Sequence, residues 1–367
     1  MLTDPRITSA LGSKSDWQHL HNVQQFTPRI ASLYNRYGKN TLPFKDDIKN
    51  YFNITPPAYD PNFTKTFSDI TDTRGKELLK QHTDRPWLVM WSGGIDSTTV
   101  LTSILKNTTP EDRSNIYVNC NRISVYENPR FFYDHIQPNF KIVDSTFLKT
   151  DKELLNKYYV LSGEFSDQLH TGDMTMAMFH NCPADCNRDV YQDPDMLINF
   201  IADKTGKESA VWYYERIIAN IKSTNLPIEN YHDFFWWLQF NVLWSAVKLR
   251  PVFHGATADA ELLNLYNTNF ISWFEQADYQ HWAMCNNQTG TKYGNHIGDY
   301  KIELKKYIYD FDHNKYYRFF KTKENSHSRR SGKGNPFPVF CILDDLTCLN
   351  LDDDLDRILE LLPDHVA

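Results

Sequence analysis

Trp87-Leu-Val-Met-Trp-Ser-Gly-Gly-Ile-Asp-Ser-Thr-Thr-Val100 is the stretch on which the fold turns. Trp87 to Trp91 is an apolar run of strand length, Ser92, Gly93 and Gly94 form a small-residue turn, and a helix starts at Asp96 or Ser97. Val100, Leu101, Ile104 and Leu105 then recur at the three- and four-residue spacing of one helix face. A buried strand that feeds a glycine turn at a helix N-terminus can hold an anion. Glycine lets the backbone approach closely, first-turn N–H groups point outward, and the helix dipole favours negative charge. Ser92 and Ser97 add hydroxyl donors, and Asp96 could hold a divalent cation against a phosphate. An ordinary strand–turn–helix junction can also contain a glycine pair. The five residues Ser92, Gly93, Gly94, Asp96 and Ser97 together, behind a hydrophobic strand, favour the anion site.

Downstream of this turn, short apolar segments alternate with helical ones. Strands are expected at 87–91, 115–119, 140–143 and 158–161, and helices at 96–107, 128–136 and 149–156. This alternation predicts an α/β fold with a doubly wound parallel sheet, followed by a largely helical C-terminal part. Ligands of such sheets bind beyond the carboxyl ends of the strands. The first and fourth strands, ending at Ser92 and Ser162, should therefore face one crevice. The fourth runs into Leu161-Ser-Gly-Glu-Phe-Ser-Asp-Gln-Leu169. Gly163 permits close backbone approach, while Glu164 and Asp167 can bind Mg²⁺ or handle a proton. Taken alone, the same residues also describe a helix start capped by Ser162.

Ser92-Gly-Gly-Ile-Asp-Ser97 matches the SGGxDS signature of the PP-loop ATP pyrophosphatases. With Ser162-Gly-Glu-Phe-Ser-Asp-Gln168 it resembles the synthetase domain of the asparagine synthetase family, whose second element reads Ser-Gly-Glu-x-x-Asp-Glu. Gln168 replaces the second acid, and Leu169-His-Thr-Gly172 stands where the family has Phe-Gly-Gly. Leu249-Arg-Pro-Val-Phe253 is similar to the family's Arg-Val-Pro-Phe-Leu-Asp segment, with the aspartate lost around His254. Lys301-Ile-Glu-Leu-Lys305 resembles its Lys-x-x-Leu-Arg helix, and Phe319-Phe-Lys-Thr-Lys-Glu-Asn-Ser326 its Lys-Glu-x-x-Ser segment. The resemblance covers roughly residues 85–326, and its two glycine elements are the specific part. It implies that ATP binds with its pyrophosphate against Ser92, Gly93, Gly94, Asp96, Ser97, Ser162 and Gly163. It further implies Mg²⁺ at Asp96 and Asp167, and catalytic roles for Glu164, Lys301 and Lys323.

The chain has 367 residues, 41% of them hydrophobic and 14% aromatic, enough for a large core. Its domains are expected as an N-terminal accessory region at 1–83, the synthetase-like domain at 84–326, and a terminal segment at 327–367. That terminal segment would carry the basic run His327-Ser-Arg-Arg-Ser-Gly-Lys-Gly-Asn335, a strand at 338–343 and an acidic helix at 352–362. Two further helical segments are expected, one or two helices within 17–37 and another at 75–82. The aromatic residues between 173 and 250 fit a helical core better than a ligand platform. His180, Cys182 and Cys186 lack the second ligand pair of a zinc site. A net charge of −7 argues against broad nucleic-acid binding. No apolar run approaches the roughly 18–20 residues of a membrane span. Six scattered cysteines and no signal-like N-terminus lead to an expected cytoplasmic location.

The chemistry that the resemblance implies is adenylation of a small-molecule carboxylate, then amide formation with ammonia or an amine, releasing AMP and pyrophosphate. Residue 2 is Leu and residues 1–80 are short for a glutaminase, so the amine is expected from solution, from a second substrate, or from a separate ammonia-supplying subunit. Two other readings remain open at the level of sequence. One is a PP-loop enzyme that adenylates a nucleobase in tRNA or DNA. The other is a noncatalytic nucleotide-binding protein that keeps the loop without acceptor chemistry.

Overall fold

A computed structural model of the chain describes His19 and residues 35–37, 54–143, 151–170, 187–248, 260–286, 301–320, 340–342 and 348–350. The chain divides into two compact units. One joins Met1–Pro61 to Asp167–Gly255, and the other joins Asn62–Ser166 to Ala256–Ala367.

The second unit carries the sheet. Helix α1 (Phe67–Gln81) leads into β1 (Trp87–Met90), and α2 (Ile95–Asn107) connects β1 to β2 (Ile116–Asn119). Helix α3 (Arg122–Glu127) precedes β3 (Lys141–Val143), and α4 (Lys152–Lys157) precedes β4 (Tyr159–Ser162). Then come α5 (Ala260–Asn269), β5 (Phe270–Ser272), α6 (Ala277–Cys285), α7 (Ile302–Asp312) and α8 (Lys315–Phe320). The strands pair in parallel in the order β3-β2-β1-β4-β5. Leu88 and Val89 of β1 point to opposite faces of the sheet and are both fully buried, as are Val160 and Leu161 of β4. Both faces are therefore covered, as parallel sheets require, with the α/β architecture of a doubly wound fold. The order of strand addition reverses at β1: β2 and β3 lie to one side, β4 and β5 to the other. The crevice of such a sheet opens at that reversal, between the carboxyl ends of β1 and β4.

Local sequence accounts for most of these elements. A capping box between Thr66 and Asp69 starts α1. Gly75 then lets α1 press on α2, because a Cβ there would stand 2.5 Å from Ser103 Oγ and 2.8 Å from Ser103 O. The helix expected at 75–82 thus begins earlier, at Phe67. The helix expected at 128–136 is present from Pro129 in two contiguous turns, and α3, just upstream, was not expected. Asn121 caps α3, Asn128 and Pro129 stop it and open a short turn, Pro129–Phe131, and a π turn follows at Phe132–Ile136. Strand β5 was not anticipated. Its three residues are too few to show a period of two.

In the other unit, helices at Pro194–Thr205, Lys207–Lys222 and Tyr231–Trp237 precede a π turn, Leu238–Leu243, and a last turn, Trp244–Lys248. Tyr213, Tyr231, Phe234, Phe235, Trp236, Trp237 and Trp244 are all fully buried. Most of the stripe is core, in keeping with its spacing, whereas Trp212 and Tyr214 are half-buried and Tyr191 is exposed. Arg36 is buried in the same unit, with its guanidinium 3.9 Å from the Trp244 ring centroid. Its donors reach the carbonyls of Ile54 (2.7 Å) and of Phe240 in the π turn (2.9 Å). The sheet-bearing unit also contains a separate antiparallel pair, β6 (Phe340–Ile342) and β7 (Cys348–Asn350). The helix expected at 352–362 lies outside the described residues. No described helix is long and apolar enough to cross a membrane.

Candidate functional site

The turn after β1 is built by hydrogen bonds among its own small residues. The β ladder runs one bond past β1, with Trp91 N–H donating to the Asn119 carbonyl at 2.9 Å. Ser92 N–H then donates to Ser97 Oγ at 3.1 Å, and the two hydroxyl oxygens are 3.1 Å apart. Gly94 N–H donates to Ser92 Oγ at 3.3 Å, and Ser97 Oγ donates back to the Gly94 carbonyl at 3.2 Å. Helix α2 begins at Ile95, close to the expected start. Its N-cap is Gly94, which has no side chain to cap the first turn.

Gly93 is required twice over. Its φ of +80° is the left-handed region that favours glycine, and a Cβ would meet the Ser124 carbonyl oxygen at 2.3 Å and Glu127 Cβ at 2.7 Å. Those atoms belong to α3, which backs the loop. They also bring the Glu127 carboxylate to the glycine pair, with Oε1 3.5 Å from the position of a Cβ on Gly94.

The β4 end packs directly on the first loop. A Cβ on Gly163 would lie 2.9 Å from both the carbonyl carbon of Asp96 and the amide nitrogen of Ser97. Ser162 Oγ accepts the Glu164 N–H at 3.4 Å, and Phe165 is held at φ +74°, a strained conformation for a buried aromatic residue. The two glycine elements are therefore one site rather than two. Glu164 lies half-buried at its edge, and Asp167 is half-buried on the next turn, Ser166–Leu169, where the other unit begins.

Lys301 completes the pattern. It precedes α7 in a left-handed conformation (φ +54°), its side chain is buried, and its ammonium pairs with the Asp96 carboxylate. The Asp96 side chain is 31% exposed, so the pair sits at the rim of the site. The ammonium offsets the Asp96 charge, which would otherwise oppose the attraction of the α2 dipole for an anion.

Two neighbours gave no signal in the sequence. Glu127 reaches the loop only because α3 folds back from β2. Tyr317, on α8, is buried and donates its hydroxyl proton to the Gly93 carbonyl at 3.1 Å. Its hydroxyl is also 3.4 Å from Thr98 Oγ1, which accepts the Trp91 indole N–H at 3.1 Å. Burial holds the Tyr317 phenol well above its usual pKa of 10, and the charges of Glu127 and Asp96 push the same way. It stays a donor across the physiological range.

Lys323, the basic run 327–335, the 249–253 segment and the His180, Cys182 and Cys186 group lie outside the described residues. Among the described residues, no three His, Cys, Asp or Glu side chains cluster as a metal cage. Fold and site together define a parallel α/β protein with a glycine turn at its topological switch point. Comparisons with family models, with curated proteins and with solved structures each found no match.

Proposed function

We propose that the chain is an ATP-dependent ligase of the PP-loop type, which adenylates a small-molecule carboxylate and passes it to ammonia or an amine. One observation carries the reading. The Ser92–Ser97 turn and the Ser162–Glu164 turn touch at Gly163 and Asp96, at the carboxyl ends of adjacent parallel strands, with a buried lysine on Asp96. Such a place suits a polyphosphate. The departures at Gln168 and Leu169–Gly172 leave the carboxylate unnamed and point away from aspartate as a default acceptor.

The residues also fit a divalent cation of the kind that accompanies ATP. Mg²⁺ usually takes one or two carboxylates and completes its shell with phosphate oxygens and water. Asp96 and Glu127 flank the loop, and an all-protein cage is not needed. Bound there, Mg²⁺ would offset charge on the phosphates. The chain's own groups supply the rest. The loop N–H groups and hydroxyls orient the phosphates, and Lys301 offsets the Asp96 charge beside them. A carboxylate oxygen attacks the α-phosphorus, its bond to the bridging oxygen breaks, and pyrophosphate leaves. The amine nitrogen then attacks the acyl carbon, and AMP departs as the amide forms. Glu164, half-buried at the edge of the site, takes the proton that the amine loses in this scheme. Lys323 keeps the charge-stabilising role that the resemblance gives it.

Product analysis tests this directly. With ATP, Mg²⁺, ammonium and a panel of amino acids and other small carboxylates, the expected products are AMP and pyrophosphate in equal amounts. Asp96→Ala should abolish both. Formation of ADP and phosphate instead would reject the reading. AMP production that requires tRNA or DNA would move the activity to a nucleobase.

A further inference from the structure

We propose that Tyr317 is a positioning residue for the phosphate site, one that sets the direction of the Gly93–Gly94 peptide and so presents the Gly94 N–H to the ligand. The proposal rests on the reading of this turn as a polyphosphate site. In a trans peptide the carbonyl of one residue and the N–H of the next point in opposite directions. The Gly93 carbonyl is directed inward, where the buried Tyr317 hydroxyl donates to it at 3.1 Å. The Gly94 N–H therefore points to the other side, toward the exposed Ser92 side chain, whose Oγ it meets at 3.3 Å. One end of the peptide is fixed by a buried phenol, and the other lies at the surface of the loop, where its N–H rests on the exposed Ser92 hydroxyl that a ligand oxygen would replace.

Something must hold this peptide, because glycine on its own does not. Gly93 and Gly94 have the widest conformational range of any residues, and a flip of the plane between them would turn a carbonyl toward the phosphate. An oxygen dipole there repels an anion, whereas an N–H attracts it. Tyr317 is itself well anchored. Its N–H donates to Asn314 Oδ1 at 3.1 Å, and the Arg318 N–H donates to the Asn314 carbonyl at 3.0 Å. Thr98 Oγ1, the other oxygen near the phenol, is farther than the Gly93 carbonyl and already accepts from Trp91. The single phenolic proton goes to Gly93. Because burial keeps the phenol protonated, it adds no negative charge behind the site.

Tyr317→Phe removes one oxygen and leaves the ring that fills the space. Calorimetric titration of the full chain with inorganic pyrophosphate, and separately with ATP and Mg²⁺, should show both affinities weakened by about tenfold or more, the worth of one hydrogen bond to a charged group. The melting temperature serves as the control for a purely structural role. A variant that loses stability but binds pyrophosphate as tightly as the wild type overturns the proposal. If the variant does not fold, wild-type protein labelled with ¹⁵N-glycine gives the answer. The Gly94 amide resonance should move on addition of pyrophosphate, and a Gly94 resonance that does not move overturns the proposal. Wild-type protein that binds neither ligand would overturn the polyphosphate reading itself, and this inference with it.

Discussion

Replacing Gly163 by alanine puts a methyl group where the backbone of α2 already lies. A Cβ at this position would stand 2.9 Å from the Asp96 carbonyl carbon, 2.9 Å from the Ser97 nitrogen and 3.2 Å from Asp96 Cβ. The first two are main-chain atoms, so no side chain can swing aside. Comfortable separation for such atoms begins near ~3.5 Å, so the end of β4 and the start of α2 must part by about half an ångström. Overpacking of this kind costs about 1–3 kcal/mol. In a domain of this size, each kcal/mol lowers the melting temperature by roughly 2–4 °C. The effect on chemistry should be larger in proportion, because the same shift separates the two halves of the proposed phosphate site. A displacement of about 1 Å can cost on the order of a hundredfold in rate, so a fall of about tenfold is expected here. Thermal unfolding and AMP formation would be measured side by side on Gly163→Ala and wild type. A variant with unchanged melting and unchanged turnover would refute the claim that the two turns form one site.

Three further outcomes follow from the same geometry. Asp96→Asn removes the carboxylate charge that pairs with the buried Lys301 ammonium and should destabilise by about 1–3 kcal/mol, discounted for the partial exposure of Asp96. Lys301→Met should cost less, and the double variant less than the sum of the two, in a cycle of chemical denaturations. The second outcome concerns pH. Burial lowers the His232 imidazole to about 4 from the usual 6.5. Between those values the unfolded chain binds the proton and the folded chain does not, so stability falls as pH drops from about 6.5 and levels off near 4. At about 1.4 kcal/mol per pH unit, the loss is about 3 kcal/mol. His232→Phe should melt with a flatter dependence on pH across that window, and an unchanged slope would count against the assignment. The third outcome is the loss of pyrophosphate affinity in Tyr317→Phe.

Much of the sheet was legible because its signals are local. Four apolar runs of strand length, each followed by a helical period, give β1 to β4 in their observed places to within a residue or two. The glycine turn and the start of α2 are carried by adjacent residues. What stayed hidden depends on distance or on brevity. Strand β5 has three residues and no period. The π turn at Phe132–Ile136 shares its apolar spacing with an α-helix, and only the backbone bonds distinguish them. Helical spacing alone places Asn128 inside a helix, whereas the proline after it makes it the N-cap. Tyr317 and Gly93 are 224 residues apart, and nothing near Tyr317 announces that its hydroxyl will reach the loop. Lys301 was singled out by resemblance, yet its pairing with Asp96 could be seen only in three dimensions. The chemistry-bearing residues were visible as types, and the structure supplies their neighbours.

The most direct measurement is carboxylate-dependent exchange of radiolabelled pyrophosphate into ATP in the presence of Mg²⁺. It reports the adenylation half-reaction without any need to know the amine. Exchange that requires one carboxylate, and that disappears in Asp96→Ala, is the result expected of an adenylating ligase. Tight ATP binding with no exchange across a broad panel of carboxylates would contradict it and leave a nucleotide-binding protein in its place.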